Sequence, residues 1–355
     1  MTRFRSAHSG AQDWRRAVQE CAASIGVAPG LGFVYFSDAF ADHAEGIVQS
    51  LRELTGVRHW VGTVGIGVLA SGVEYYDEPA LSVMVAGLDE SSYQVFSGRS
   101  RPRPDAHFAV VHGDPETHGM PGLVADMSTK LASGFLVGGL SSSRARTVQV
   151  ADDVISGGLS GAVFGAEVAV STRLTQGCSP LPGRYRITQC EQNVLVTLDG
   201  RPALEVFKAA IGDVLSRDLN RAVHFIHAGL PVRGSDRGDY LVRNVVGIDP
   251  KNGLVAIGDL VEPGDELVFC KRDAESARRD LGRILDELRI AVPQPRGALY
   301  YSCLGRGEHM FGRRGAEIEQ VRDALGDVPL TGFFCNGEIS HDRLYGYTGV
   351  LTLFH

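Results

Sequence analysis

The stretch "LTGFFCNGEISHDRLYGYTGVLTLF", residues 330–354, is typical of two buried strands joined by a short polar segment. The first strand ends at Cys335, and the polar segment Asn336, Gly337 and Glu338 follows it directly. A carboxylate beside an amide and a glycine at a strand end forms a turn, a ligand contact or a catalytic acid. The choice among these three depends on what the rest of the chain builds around them.

The same order of elements occurs three times along the chain. Each unit has the pattern of a buried strand, an amphipathic helix, a strand interrupted by glycine and a further apolar strand. The units begin with "GFVYFSD" (32–38), "AHFAVVHGD" (106–114) and "GALYYSC" (297–303). The glycines expected at equivalent points are Gly65 and Gly67, Gly138 and Gly139, and Gly332 and Gly337. Strands linked both by helices and by hairpins predict an α/β (α+β) fold with mixed sheets covered by helices.

The length of the chain predicts two domains after a short N-terminal extension. Residues 1–29 are expected to form a helical extension, because their apolar residues follow helical spacing. The apolar face of this helix is formed by Trp14, Ala17, Val18 and Cys21. A polar, Gly-rich loop at 229–239 places the boundary near residue 225, so the domains are predicted to span 30–225 and 226–355.

The composition excludes several classes of protein. With 355 residues, 44% hydrophobic content and a net charge of -7, the chain has an ordinary globular composition and lacks the basic balance that favours a nucleic-acid partner. The six cysteines form no C-x-x-C pair, which favours a reducing cytoplasm over a zinc site or a disulfide framework. No apolar run reaches the ~18 residues that a membrane span needs, so neither a membrane nor a nucleic acid is an expected partner.

The glycines of "GTVGIG" (62–67) resemble part of a dinucleotide-binding fingerprint. That motif requires a helix N-terminus directly after the glycines, to receive the pyrophosphate. Here "VLASGV" continues the pattern of strand and turn, so a Rossmann site is not predicted.

Three histidines, His107, His112 and His118, lie close together in the sequence around a strand end. Imidazoles in such a cluster can ligate a metal ion or a haem iron. The alternative is that His107 begins an apolar strand while the other two flank an exposed turn. No resident metal is predicted, and these histidines are the candidates if haem is bound.

Cys335 raises the possibility of catalysis, because Asn336 and His341 supply the residue types of a Cys-His-Asn arrangement. A cysteine that ends an apolar strand is more often an inert core thiol. Glu338 is either a ligand contact or a solvated turn residue, since ionised carboxylates are seldom buried without a partner. We therefore expect a binding protein rather than an enzyme that uses Cys335 or Glu338.

Three stretches carry a resemblance to a known family. These are "GCSPLPGRYRITQCEQNVLVTLDGRPALEVF", "YLVRNVVGIDPKNGLVAIGDLVEPGDELVF" and the "CNGEI" and "LYGYTGVLTLF" segments of the opening stretch. They are similar to the FIST family, in which a FIST N-terminal domain precedes a FIST-C domain. The resemblance extends from about residue 30 to the end of the chain.

The resemblance implies a sensory protein of signal transduction that binds a small ligand, such as an amino acid, in a cleft between the two domains. It implies that Asn336, Gly337 and Glu338, beside Cys335, lie at the edge of the pocket, where the carboxylate receives an ammonium group. Ser141 and Ser142 are further candidates at a strand end. No kinase, cyclase or F-box segment is recognisable, so the output is expected to pass to a separate signalling partner. The alternative that the resemblance implies is a haem-binding sensor of nitric oxide with a histidine ligand.

Overall fold

A computed structural model describes residues 3–98, 102–232 and 240–355. The chain forms two compact units, and the larger one is discontinuous in sequence. It comprises Met1–Thr175 and Arg278–His355, whereas the smaller unit comprises Gln176–Ala277. The smaller unit is therefore an insertion into the sequence of the larger one.

The strands are numbered in chain order. Those before the insertion are β1 (Arg5–Ser9), β2 (Leu31–Ser37), β3 (His59–Gly65), β4 (Gly67–Ala70), β5 (Val73–Tyr76), β6 (Leu81–Ala86), β7 (Tyr93–Phe96), β8 (Phe108–Gly113), β9 (Phe135–Leu140), β10 (Gln149–Ala151), β11 (Asp153–Ile155), β12 (Leu159–Phe164) and β13 (Val170–Gln176). Those of the smaller unit are β14 (Cys178–Pro180), β15 (Tyr185–Glu191), β16 (Val194–Leu198), β17 (Arg201–Pro202), β18 (Ile226–Pro231), β19 (Tyr240–Asp249), β20 (Leu254–Ile257) and β21 (Glu266–Arg272). Those after it are β22 (Gly297–Cys303), β23 (Leu330–Cys335), β24 (Glu338–Ser340), β25 (Arg343–Tyr345) and β26 (Thr348–Phe354).

The helices follow the same convention. They are α1 (Trp14–Ile25), α2 (Ala44–Thr55), α3 (Met120–Ser128), α4 (Ala203–Ser216), α5 (Leu219–Ala222), α6 (Ala274–Ala291), α7 (Glu308–Phe311) and α8 (Ala316–Leu325). Two short 3-10 segments occupy Asp38–His43 and Glu90–Ser92.

The larger unit contains three sheets built to one plan, which confirms the three related units predicted from the sequence. The strand orders are β1-β6-β2-β3-β10-β11, β7-β12-β8-β9-β24-β25 and β13-β26-β22-β23-β4-β5. At the centre of each sheet lies a parallel pair, β2 with β3, β8 with β9 and β22 with β23. The last long strand of each repeat pairs antiparallel with the first, as predicted for a mixed sheet.

The hairpin of each repeat completes the sheet of another repeat. Strand β4 of the first repeat pairs with β23 of the third, and β24 of the third pairs with β9 of the second. Strand β10 of the second repeat pairs with β3 of the first, which closes the cycle. The three repeats are therefore interlocked within one unit, and none of the three sheets is made by a single repeat.

The register of the parallel pairs identifies which glycines are equivalent. Gly62 lies opposite Val34, Gly138 opposite Val111 and Gly332 opposite Tyr300. A Cβ atom at any of these glycines would overlap the carbonyl oxygen of the residue opposite. The predicted equivalence holds for Gly138 and Gly332, but the partner in the first repeat is Gly62 rather than Gly65 or Gly67.

The N-terminal extension belongs to the first sheet. Helix α1 is formed as predicted, begins with the Asp13 side chain accepting a hydrogen bond from the Arg16 N–H, and buries Ala17, Val18 and Cys21. Strand β1, which the sequence analysis did not predict, pairs antiparallel with β6 along five residues. Residues 1–29 are therefore more than a helical extension, because they supply the edge strand of a sheet.

The smaller unit is built mainly from antiparallel strands. Six of its strands, in the order β21-β15-β16-β20-β19-β18, close into a ring because β18 also pairs with β21. Phe207 of α4 packs on the strand residues of this ring, and its side chain stacks edge-on against Phe269. The residue near which the sequence placed a boundary, Phe225, lies inside this unit between α5 and β18. Part of the loop that suggested this boundary, 233–239, lies outside the described residues.

Candidate functional site

The candidate site lies at the carboxyl ends of the parallel strands β22 and β23. Strand β22 ends at Cys303 and β23 at Cys335, and these two residues are paired in register. Ligands of α/β proteins commonly bind at this edge, because loops leave the sheet there. We define the carboxyl–guanidinium cluster as Glu338, Arg306, Glu317 and Glu74, which surround these strand ends.

Glu338 is fully buried at the start of β24. Its Oε2 accepts hydrogen bonds from the backbone N–H of Thr348 at 3.1 Å and from the Thr348 hydroxyl at 2.7 Å. Its Oε1 is buried without a hydrogen-bond partner among the described residues. Burial raises the pKa of Glu338 to about 8. The Thr348 hydrogen bonds, the charge of Arg306 and a hydrogen bond with the Cys303 side chain offset part of this rise. Near neutral pH this carboxyl is therefore mostly protonated.

The repeats show what this position requires for folding alone. Glu338 pairs with Gly139 of β9. At the same register, Gln149 lies opposite Thr63 in the first sheet and Val68 lies opposite Phe333 in the third. Gln149 and Val68 are therefore the residues equivalent to Glu338. The fold accepts an amide or an aliphatic side chain at this position. A titratable carboxyl is thus not needed to build the sheet, and its presence in one repeat marks that repeat as different.

Arg306 and Glu317 form an ion pair in which both side chains are fully buried. The Arg306 Nε donates to Glu317 Oε1 at 2.7 Å. Glu317 also accepts hydrogen bonds from the hydroxyls of Tyr300 and Ser302 and from the Gly307 backbone N–H. The Nη1 and Nη2 atoms of Arg306 have no hydrogen-bond partner in the part of the chain that the structure describes.

Glu74 reaches the cluster from another repeat. It belongs to β5, part of the hairpin that the first repeat gives to the third sheet, and it is 4% exposed. Its carboxyl lies close to Gly307, directly after Arg306. Burial raises the pKa of Glu74 to about 7, with a contribution from the negative charge of Glu317. The hairpin exchange therefore places a third carboxyl beside the Arg306–Glu317 pair.

The two thiols at the strand ends are not activated nucleophiles. Cys335 is fully buried, and its Sγ donates a long hydrogen bond to the Phe333 carbonyl at 3.6 Å. Burial, together with the nearby Glu338, raises the pKa of both Cys335 and Cys303 well above the ordinary value for a thiol. A nucleophilic cysteine requires a lowered pKa, so the geometry supports the expectation of an inert thiol.

The other predicted site residues surround Glu338 but have structural roles. The Ser141 hydroxyl shares a hydrogen bond with Thr63 at 2.6 Å, and the Ser142 hydroxyl donates to the Phe334 carbonyl at 2.5 Å. Gly337 has φ of 123° and accepts a hydrogen bond from the Leu140 N–H through its carbonyl, so it forms the turn. Asn336 is exposed at this turn, and its N–H donates to the Leu140 carbonyl. The structure thus brings all six predicted residues together within the larger unit, and the buried carboxyl is the one with an unsatisfied atom.

The three histidines do not form a cluster. His112 is fully buried and shares a hydrogen bond of 3.0 Å with the Tyr35 hydroxyl, which in turn bonds to Tyr301. The register makes Tyr35, His112 and Tyr301 equivalent residues of the three repeats. Burial lowers the pKa of His112 to about 3, so its imidazole is neutral.

This environment does not fit a haem ligand. The His112 ring is enclosed by Tyr35, Tyr301 and Phe333, with ring centres 5.5, 6.4 and 6.2 Å away, and its Nε2 is taken by the Tyr35 hydroxyl. His118 is exposed on the loop after β8 and His107 lies at the opposite end of that strand, so the three side chains do not share one position. Within the described ranges, no group of three or more potential ligand side chains could hold a metal ion.

A separate cleft of about 1000 Å³ lies on the larger unit. It is lined by β1, the end of α1 and the segments around Arg296 and Asp327. Its guanidinium groups include that of Arg5, which donates to the Ile25 carbonyl at 2.7 Å and so closes the end of α1. None of the sequence-predicted site residues lines this cleft, and it does not include the carboxyl–guanidinium cluster.

Comparison with known families assigns the chain. Residues 30–201 match the FIST N domain and residues 203–341 match the FIST C domain. The protein belongs to the FIST family. Glu74 and Ser141 come from the FIST N segment and Glu338 from the FIST C segment, so the two family segments meet in one compact unit. FIST domains are generally thought to be sensory domains for small ligands.

The FIST chain has relatives of similar length in mycobacteria. It is 30% identical over 378 aligned positions to the uncharacterized protein Rv0628c of Mycobacterium tuberculosis, with 98% of each chain covered. It is 28% identical over 373 positions to the uncharacterized protein Mb0898c of Mycobacterium bovis, with 96% of each chain covered. Among the described residues, no helix is long and apolar enough to cross a membrane.

Replacing Glu338 by glutamine is expected to remove part of the pH dependence of folding. An acid whose pKa is raised from 4.5 to about 8 on folding binds more protons in the folded state between these values. Its contribution to stability therefore falls as the pH rises through this window, by up to ~1.4 kcal/mol per pH unit. The Glu338→Gln variant should match the wild type near pH 5 and exceed it in unfolding free energy at pH 8.

The measurement is urea unfolding at several pH values, followed by tryptophan fluorescence. The chain has two tryptophans, Trp14 and Trp60, and both lie in the larger unit, so the signal reports on the unit that holds the site. Glu45→Gln is the matched control, because Glu45 is an exposed carboxyl paired with Arg146. Equal pH slopes for the wild type and Glu338→Gln would contradict the argument.

Proposed function

We propose that this FIST protein is a sensor that binds a small ligand at the carboxyl–guanidinium cluster. The observation that carries the proposal is the buried Glu338 carboxyl, whose Oε1 has no hydrogen-bond partner among the described residues. A buried polar atom without a partner costs about 1–3 kcal/mol, and such groups are typical of sites that act on something other than their own chain. The pseudo-equivalent Gln149 indicates that this cost is not required by the fold.

The proposed ligand is an amino acid, whose ammonium group would be received by Glu338. Binding of a cation would favour the ionised carboxylate, because an opposite charge nearby lowers the pKa of an acid. A charge-assisted hydrogen bond of this kind fixes the orientation of a ligand well. Asn336 is exposed at the turn before Glu338, and in this proposal it contacts a ligand that approaches from solvent.

The proposed setting is the cytoplasm, with the signal passed to a separate protein. All six cysteines are among the described residues and none forms a disulfide, which suits a reducing compartment. We propose no catalytic step, since burial raises the pKa values of the thiols at the strand ends, Cys335 and Cys303. Ligand binding without turnover is the expected behaviour.

A thermal-shift screen against the L-amino acids is expected to give at least one stabilising compound. A ligand at 100 times its dissociation constant stabilises the folded state by ~2.7 kcal/mol, which raises the unfolding midpoint measurably. Glu338→Gln should fold and lose at least about tenfold in affinity, because an amide cannot compensate the charge of an ammonium group. Glu45→Gln, in an exposed pair, should respond as the wild type does.

Two results would count against the proposed function. One is a screen, extended to nucleotides and haem, in which no compound stabilises the protein. The other is a stabilising compound whose affinity is the same for the wild type and for Glu338→Gln, which would move the site away from the cluster.

A further inference from the structure

Arg306 offers more hydrogen-bond donors than the protein uses. A guanidinium group carries five N–H donors. The Nε donor is taken by Glu317, whereas the four donors on Nη1 and Nη2 have no partner among the described residues. The side chain is nevertheless completely buried, with its guanidinium carbon 5.2 Å from the centre of the Phe311 ring. The Tyr300 hydroxyl also interacts with the guanidinium group. Buried donors without a partner are costly, so the Nη donors are available to an acceptor brought by a ligand.

Glu317 cannot supply that partner. Its Oε1 already accepts hydrogen bonds from the Tyr300 and Ser302 hydroxyls and from the Arg306 Nε. Its Oε2 accepts hydrogen bonds from the Ser302 hydroxyl and the Gly307 N–H. These contacts hold Glu317 on the Nε side of the guanidinium group. Glu317 therefore fixes the position and orientation of Arg306, and the Nη edge is left for another acceptor.

The other two carboxyls of the cluster do not compete strongly for this edge. Burial raises the pKa of Glu338 to about 8 and that of Glu74 to about 7, so both carry a reduced negative charge near neutral pH. Glu317 is the carboxyl that pairs directly with Arg306, whereas Glu338 acts on it through its charge. An anion brought by a ligand would meet a guanidinium group with one directly paired carboxylate, Glu317. Where the ligand's ammonium group ionises Glu338, the positive charge of that ammonium offsets the added negative charge.

The segment that carries Arg306 is partly exposed. Cys303, Leu304 and Gly305 are partly exposed, and the next residues after Gly307, Glu308 and His309, are exposed. Gly305 and Gly307 flank Arg306 in the sequence, and Gly307 has φ of 55°, a conformation that other residues adopt with strain. Arg306 is therefore a buried residue whose neighbours in the sequence are partly or fully exposed.

We propose that Arg306 determines the class of ligand, by binding a carboxylate through its Nη1 and Nη2 atoms. The two atoms form a planar fork that matches the two oxygens of a carboxylate, which a lysine ammonium cannot reproduce. Glu317 is a positioning residue that holds the fork. This inference rests on the proposed function, to which it adds the chemical group that the site selects.

The test compares carboxylates with their primary amides. L-Amino acids, their amides and simple amines are added to the wild-type protein, and affinities are obtained from the concentration dependence of the thermal shift. At least one carboxylate should bind at least tenfold more tightly than its amide. Inorganic phosphate forms a separate arm, since it is also bound by guanidinium groups.

Arg306→Lys tests the residue itself. It keeps a positive charge beside Glu317 and should fold, but the preference for the carboxylate over its amide should fall to less than about threefold. Arg173→Lys is the matched control, because Arg173 pairs with Glu287 at 2.6 Å in the larger unit and does not belong to the cluster. Should Arg306→Lys fail to fold, the comparison of carboxylate with amide in the wild type decides alone.

The outcomes separate this inference from the proposed function. Equal affinity for a carboxylate and its amide would overturn the role of Arg306 and leave the proposed sensor intact. Stabilisation by amines that depends on Glu338 alone would have the same meaning. Stabilisation by phosphate without any effect of carboxylates would overturn the assignment of a carboxylate. An absence of any stabilising compound would overturn both.

Discussion

Replacing Gly332 by alanine is expected to prevent the larger unit from folding. Gly332 lies opposite Tyr300 in the parallel pair β22–β23, and an added Cβ would overlap the backbone carbonyl of Tyr300. A backbone atom in the centre of a six-stranded sheet cannot move aside as a flexible side chain can. We expect a loss of more than about 4 kcal/mol, seen as insoluble protein or as a lost unfolding transition in tryptophan fluorescence.

The same prediction applies to the equivalent glycines of the other two repeats. Gly62 and Gly138 face the carbonyls of Val34 and Val111 in the same way, so Gly62→Ala and Gly138→Ala should be as damaging as Gly332→Ala. Gly122→Ala is the control, because Gly122 lies in α3 with no atom near an added Cβ. It should stabilise the fold by about 0.5–1 kcal/mol through the helix preference of alanine. A folded Gly332→Ala protein with an unfolding midpoint close to that of the wild type would contradict the repeat register.

The repeats could be predicted from sequence because their signals are local. Each contains an apolar strand, an amphipathic helix and a Gly-interrupted strand, and these periodicities survive in the structure as β2-α2-β3, β8-α3-β9 and β22-α8-β23. The exchange of hairpins could not be predicted in this way. The strands β4, β10 and β24 are short, and their partners are fixed by pairing between distant segments rather than by their own residue pattern.

The insertion was missed for a related reason. Its first strand, β14, pairs with its last, β21, with Cys178 opposite Arg272, so the smaller unit begins and ends side by side. Such an insertion leaves no long linker at either end, whereas the predicted domain boundary rested on a polar, glycine-rich connection. The described part of that loop, residues 229–232, belongs to the smaller unit.

The candidate site was half predictable. Glu338 stood out because a carboxylate at the end of an apolar strand is unusual, and the structure buries it completely. Arg306, Glu317 and Glu74 were missed. Charged residues in loops, helices and short hairpin strands are ordinarily exposed, and only the three-dimensional fold shows that these three are buried. The pair of glycines around Arg306 was the one local signal, because glycine on both sides of a charge after a buried strand is typical of a functional loop.

Separate replacement of Arg306 and of Glu317 by apolar residues is expected to be strongly destabilising. Arg306→Met leaves the Glu317 charge buried without a counter-charge, and Glu317→Leu does the same to Arg306. Breaking a buried pair on one side costs about 3–5 kcal/mol, because the remaining charge keeps its desolvation penalty. Glu317→Leu should be the more damaging, since it also removes the acceptor for Tyr300, Ser302 and Gly307.

The double variant Arg306→Met with Glu317→Leu should be far less destabilised than the sum of the two single changes. Removing both charges removes both desolvation penalties. The coupling free energy from the double-mutant cycle of these variants should therefore be at least about 2–3 kcal/mol. The free energies come from urea unfolding followed by the fluorescence of Trp14 and Trp60, which lie in the same unit. The exposed pair Arg146 and Glu45 gives the comparison cycle, for which a coupling below about 1 kcal/mol is expected. Additive effects of Arg306→Met and Glu317→Leu would show that the two charges do not depend on each other, and Glu317 would then have no role in positioning the guanidinium group for a ligand.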